Sequence, residues 1–98
     1  RVREDRPGSV FVISPNYTFR LKGKSAAKTV YLAGDFNGWS PNAFPMKKEG
    51  EEWVMPVHLS TGKHLYKFIV DGQWIIDPGN DLWEENEYNT GNSIIWMK

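Results

Sequence analysis

Asp71-Gly72, set between the apolar runs Tyr66 to Val70 and Gln73 to Ile76, limits the fold more than any other feature of this chain. Asp-Gly between strand-like runs marks a two-residue β-hairpin, because a type I′ turn needs positive φ at both central positions. The register follows by counting outward, so that Val70 faces Gln73, Ile69 faces Trp74, Phe68 faces Ile75 and Lys67 faces Ile76. Side chains alternate across a strand, which puts Tyr66, Phe68, Val70 and Ile75 on one face and Lys67, Ile69 and Trp74 on the other. The first set makes a core face. The second pairs a flat indole with an ammonium group, a combination suited to an open face that binds something.

The chain has 98 residues, enough for one domain that buries roughly two-thirds of the surface of its unfolded chain. Twelve Lys and Arg balance twelve Asp and Glu, so no charge excess recruits nucleic acid or an anionic membrane. Cysteine is absent, which removes disulfides, thiolate metal sites and thiol nucleophiles. No apolar run reaches membrane-spanning length, and the start lacks a signal-peptide pattern. A first residue of Arg1 rather than Met suggests a piece of something longer. The sequon Asn16-Tyr17-Thr18 reads as the start of a strand.

Along the chain, residues 1–9 read as a linker or edge extension and residues 10–98 as one module. Val10 to Ile13 is a short apolar run. Tyr17, Phe19 and Leu21 alternate with polar residues, and Thr29 to Ala33 forms a second alternating segment. Asp35 to Met46 is a shaped loop, and Lys47 to Glu52 a solvated charged turn. Trp53 to Leu59 alternates again, with Pro56 pointing to an edge position or a bulge. Asp81 to Tyr88 is acidic, and Ile94 to Met97 closes the chain. About seven short strands separated by turns predict an all-β, immunoglobulin-like antiparallel sandwich, with a small closed barrel as the alternative.

Five tryptophans exceed what so small a core needs, so one or two are expected at the surface. Trp74 is one candidate, although an indole packed on its cross-strand neighbour Ile69 would look the same in sequence. Trp39, in the loop Gly34-Asp35-Phe36-Asn37-Gly38-Trp39-Ser40-Pro41, is the other; its plainer reading is a lid over one end of the sandwich. Indole faces stack on the apolar face of a pyranose while Lys, Asn and Thr take its hydroxyls. Lys67 and Asn92 are placed to supply such contacts, though a solvated strand lysine is the ordinary alternative for Lys67.

Several spaced motifs then carry a resemblance: Val30-Tyr31-Leu32-Ala33-Gly34-Asp35-Phe36-Asn37-Gly38-Trp39, Gly62 to Trp74, Asp77-Pro78, and Gly91-Asn92-Ser93-Ile94-Ile95. From about Tyr17 to Met97 the chain resembles the family 48 carbohydrate-binding modules, which include the glycogen-binding domain of AMP-activated protein kinase β subunits. The resemblance implies an early-set β-sandwich that binds α-1,4-linked glucan and is fused to a larger carbohydrate-active or regulatory protein. It implies Trp39 and Trp74 as stacking platforms, Lys67 and Asn92 as hydrogen-bond donors with Thr90 beside them, and Tyr88 where the family inserts an apolar side chain. The chain departs from the family in an acidic, aromatic insert, Asp81, Glu84, Glu85 and Glu87 around Trp83, which leaves the identity of the polysaccharide open.

Catalysis is not expected. Asp35, Asp71 and Asp77 lie at turns, where aspartate bonds its own backbone, and His58 and His64 lack the spacing of a metal pair. No cofactor, nucleic acid or membrane is expected as a partner. The competing reading is a structural or interaction sandwich of a larger enzyme, or a binder of another polysaccharide such as xylan.

Overall fold

The computed structural model describes residues 14–98. The expected linker 1–9 and the apolar run Val10 to Ile13 lie outside the described residues. Within them the chain is all-β: β1 Tyr17–Lys22, β2 Val30–Gly34, β3 Lys47–Glu49, β4 Glu52–Val57, β5 Gly62–Val70, β6 Gln73–Ile75, β7 Trp83–Glu85 and β8 Gly91–Met97. A three-stranded sheet, ordered β1-β4-β3, faces a five-stranded sheet ordered β2-β5-β8-β7 with β6 also on β5. All pairings are antiparallel. This is the immunoglobulin-like, early-set sandwich.

The hairpin forms as its sequence dictates. Asp71 and Gly72 have φ of 50° and 86°, and the ladder pairs Val70 with Gln73, Ile69 with Trp74 and Phe68 with Ile75. It stops there, so the expected pair Lys67 and Ile76 does not form. Asp71 also ties the turn to the next loop. Its carboxylate accepts the Thr29 and Lys28 amide N–H groups at 2.9 and 2.8 Å, which holds its pKa below the ordinary carboxylate value.

Alternation along β1, β2, β4 and β5 delivers Phe19, Leu21, Val30, Leu32, Trp53, Val57, Tyr66 and Phe68 to one core between the sheets. Trp53, the buried tryptophan of this core at 7% exposure, donates its indole N–H to the Lys24 carbonyl at 2.9 Å, so its polar atom is satisfied. Three tryptophans, Trp74, Trp83 and Trp96, are exposed, more than expected.

Two local readings change. The charged segment Lys47 to Glu52 is not all turn, because Lys47–Glu49 pairs with β4 and only Gly50 and Glu51 reverse the chain. Pro56 sits in the middle strand of its sheet, but β3 reaches no further than Val54. The Val57 carbonyl accepts the Asn16 N–H, so the residue before it turns its backbone to the side that β3 has left. Proline's missing donor costs nothing there. Asn16 itself exchanges two hydrogen bonds with the Leu59 backbone, Nδ2 to O at 2.9 Å and N to Oδ1 at 2.8 Å, so the sequon amide is structural.

Candidate functional site

β5 is long enough to take two partners end to end along one edge. β8 pairs with Gly62 to Tyr66, and β6 pairs with Phe68 to Val70. Lys67 lies between them, where the chain leaves the side of β5 after Ile75 and comes back to it with β8. Trp74, opposite Ile69, stands on one side of this break. Asn92, one residue before the Ser93–Tyr66 pair, stands on the other. By alternation both share the outer face of the sheet with Lys67 and Leu65.

Trp39 comes from the opposite edge, where β2 ends at Gly34 beside Tyr66. A Cβ on Gly34 would strike the Phe36 ring and lie 2.7 Å from the Leu65 carbonyl oxygen, so only glycine lets the chain turn this tightly against β5. A 3-10 turn, Asp35–Asn37, follows, and Gly38 and Trp39 both take left-handed backbone, with φ of 67° and 59°. Asn37 locks the turn: its Oδ1 accepts the Gly34 N–H at 3.1 Å and its Nδ2 donates to the Leu32 carbonyl at 3.0 Å. The Trp39 N–H closes it on the Gly34 carbonyl at 2.9 Å. The indole is half-buried as a result, a rigid wall rather than a loose lid.

All six residues singled out from the sequence, Trp39, Lys67, Trp74, Tyr88, Thr90 and Asn92, line one open groove of about 600 Å³. Leu65, Asn86 and Glu87 complete its lining. Tyr88, 78% exposed, stands at the rim. Lys67 differs from expectation. It is only 9% exposed, and Ile69, two residues along on the same face, 4%, while Trp39, Trp74 and Thr90 share the groove with it. The Lys67 stem is buried while Nζ reaches Thr90 Oγ1 at 3.4 Å.

Asn86 was not singled out from the sequence. It closes the turn before β8: its N–H donates to the Thr90 carbonyl at 2.8 Å, and its carbonyl accepts from Asn89 at 3.1 Å. Its side chain accepts the Tyr88 and Thr90 N–H groups. The signal available in sequence was an asparagine two residues before Tyr88, the spacing of an Asx turn.

Four titratable groups outside the groove lining, Asp35, His64, Tyr66 and Asp77, serve the fold. Asp77 accepts the Tyr66 hydroxyl at 2.6 Å and the Gly79 N–H at 2.8 Å. Burial, and then donation to Asp77, push the Tyr66 phenol well up. Asp35 accepts the Leu65 N–H at 2.9 Å and pairs with His64 Nδ1 at 2.8 Å, while His64 Nε2 meets the Ser60 carbonyl at 2.9 Å. Both ring nitrogens therefore face acceptors. Burial lowers the His64 pKa, but the hydrogen bonds to Asp35 and Ser60 and the charge of Asp35 outweigh it and raise the pKa above the ordinary value. A raised folded-state pKa stabilises at pH below the unfolded value and loses that contribution as pH rises through the folded value. The melting-temperature gap between wild type and His64→Gln should thus be wider at about pH 5.5 than at about pH 8.5, a window around the ordinary histidine value of about 6.5. An equal gap at both would contradict the ionic reading of this pair.

Among the described residues no group of three His, Cys, Asp or Glu side chains could hold a metal ion. A larger depression, of about 840 Å³, lies between β1 and the second half of β8, lined by Tyr17, Phe19, Tyr66, Ile94 and Trp96. Its polar groups Tyr66, Asp77 and Asn80 already bond one another, whereas the 600 Å³ groove brings the Lys67 ammonium and the Asn92 carboxamide together beside two indoles.

A small antiparallel sandwich whose sheet face gathers two indoles, an ammonium group and a carboxamide around one open groove has the build of a carbohydrate-binding module. Residues 17–97 match the family described as the glycogen recognition site of AMP-activated protein kinase. The chain is 40% identical over 80 residues to the β-1 subunit of 5′-AMP-activated protein kinase from Sus scrofa, covering 82% of this chain and 62% of that one. Against the Homo sapiens β-1 subunit the identity is also 40%, over 28% of its length, and against the Mus musculus β-2 subunit it is 35% over 78 residues. This chain thus belongs to the glycogen-recognition family of carbohydrate-binding modules, and it spans less than two-thirds of the length of these relatives.

Proposed function

We propose that the groove between Trp39 and Trp74 binds an α-1,4-linked glucan of the glycogen or starch type, without catalysis, and anchors an attached domain to it. The observation that supports this reading is the convergence of Trp39, Lys67, Trp74, Tyr88, Thr90 and Asn92 on one groove, from four separate parts of the chain. The indoles offer stacking faces for pyranose rings, and Lys67, Asn92 and Thr90 meet hydroxyls. Tyr88 enters from the rim. Asp35 and Asp77, the carboxylates nearest a catalytic reading, are held by hydrogen bonds from the fold. Relatives named as kinase subunits support attachment to a larger protein, whose local concentration at the polysaccharide the module would raise.

Each indole removes on the order of 100 Å² of apolar surface from water, about 2.5 kcal/mol at 25 cal/mol/Å². With a few hydroxyl contacts and an association cost of at least about 4 kcal/mol, the net is a few kcal/mol, or roughly high-micromolar to millimolar affinity. Pull-down on starch, glycogen and xylan side by side tests the reading. Retention on the two α-glucans is expected, and retention on xylan alone would assign the groove to another polysaccharide.

The acidic insert is a rim in this reading. Glu84 pairs with Lys63 at 2.6 Å, both side chains about 40% exposed, and Glu87 borders the groove. Replacing Glu84, Glu85 and Glu87 together by glutamine should change glucan affinity by less than about 1 kcal/mol, the scale of exposed charges. A larger change in a titration calorimeter would mean that these carboxylates read the sugar.

A further inference from the structure

The hydrogen bonds of Asn86 determine more than the shape of its turn. Backbone N–H groups can only donate, so the atom facing the Tyr88 and Thr90 amides, at 2.9 and 3.1 Å, has to be the Asn86 carbonyl oxygen. The Asn86 NH2 is then the group that donates to Asn92 at 3.2 Å and to Thr90 Oγ1 at 2.8 Å, the same hydroxyl that lies 3.1 Å from the Asn86 carbonyl oxygen. A donor there demands an acceptor, so Asn92 turns its carbonyl oxygen toward Asn86. The Asn92 NH2 is left without a partner among the described residues, on the groove side of its strand. Lys67, the neighbouring polar tip, carries only donors, and Thr90 takes one of them.

From this chain of constraints we infer that Asn86 is a positioning residue that fixes the hydrogen-bond polarity of the groove, making its floor a donor surface for ligand oxygens that accept. The inference rests on the glucan reading for the identity of those oxygens, neighbouring sugar hydroxyls, but the polarity itself does not. Asn86 touches no ligand in this scheme. It acts through Asn92 and Thr90.

The substitution Asn86→Asp separates the effects. An aspartate keeps the acceptor for the Tyr88 and Thr90 amides, so the turn survives, but it removes the NH2 that holds Asn92. Asn92 then gains by rotating its own NH2 toward the new carboxylate, which presents its oxygen to the groove. Side-chain amide exchange and maltoheptaose titration, both followed by NMR on the whole chain, read this directly. In wild type the Asn92 amide protons should exchange as free amides and shift on titration. In Asn86→Asp one of them should become protected, and affinity should fall about fivefold, the worth of one net hydrogen bond. In an Asn92→Ala background the same change should alter affinity by less than about twofold, because contacting residues that act as a unit are not additive. Protected Asn92 protons in wild type, or an undiminished loss in the Asn92→Ala background, would overturn the inference. If wild type ignores maltoheptaose while the exchange pattern holds, the glucan reading fails and the polarity stands.

Discussion

Replacing Trp74 by alanine should abolish retention on α-glucan and leave the chain folded. Weak binding that depends on two stacking faces cannot survive the loss of either, since about 2.5 kcal/mol is most of the net affinity. Trp74 is 42% exposed on the outer face of the sheet, away from the core. It does cover part of Ile69, its cross-strand partner, so its removal should cost stability on the scale of one cross-strand pair, no more than about 1 kcal/mol. Trp39→Ala should lose retention equally. Affinity electrophoresis in starch gels, beside thermal melts, measures both effects. Unfolding of Trp74→Ala, or wild-type retention, would mean that the two faces of the hairpin have been assigned the wrong way round.

Phe68→Ala, one residue along from Lys67, should have the opposite outcome. Phe68 is fully buried between the sheets, packs edge-on against Tyr66 at 5.7 Å and belongs to the single core. Deleting its ring should cost about 3–5 kcal/mol, a large part of what holds so small a domain together. A denaturant midpoint close to wild type would contradict the core assignment. Neighbouring positions on β5 should therefore divide sharply into fold and binding.

That division was legible in the sequence because a two-residue Asp-Gly turn leaves no freedom in register, and register assigns every side chain to a face. The core was legible for the same reason in β1, β2 and β4, where apolar and polar residues alternate. β3 was not, because Lys47, Lys48 and Glu49 carry no apolar pattern and are strand only through pairing with β4. Its neighbour, not its composition, makes it. The burial of Lys67 was also hidden, since Trp39 and Thr90, which share its groove, lie far away along the chain. Trp39, Lys67, Trp74 and Asn92 were legible from register and residue type, Thr90 and Tyr88 came from a resemblance carried by spaced motifs, and Asn86 emerged only once its backbone donors were in place. Its part depends on which atoms face it, and spacing alone does not carry that.

Five indole N–H groups give one direct readout of where a ligand sits. Titrating the labelled chain with maltoheptaose should move the resonances of Trp39 and Trp74, the two indoles of the groove. Trp53, which donates to Lys24 inside the core, and Trp83 and Trp96, exposed outside the groove, should stay where they are. Movement confined to Trp83 or Trp96, or no movement of any indole at millimolar sugar, would contradict the account.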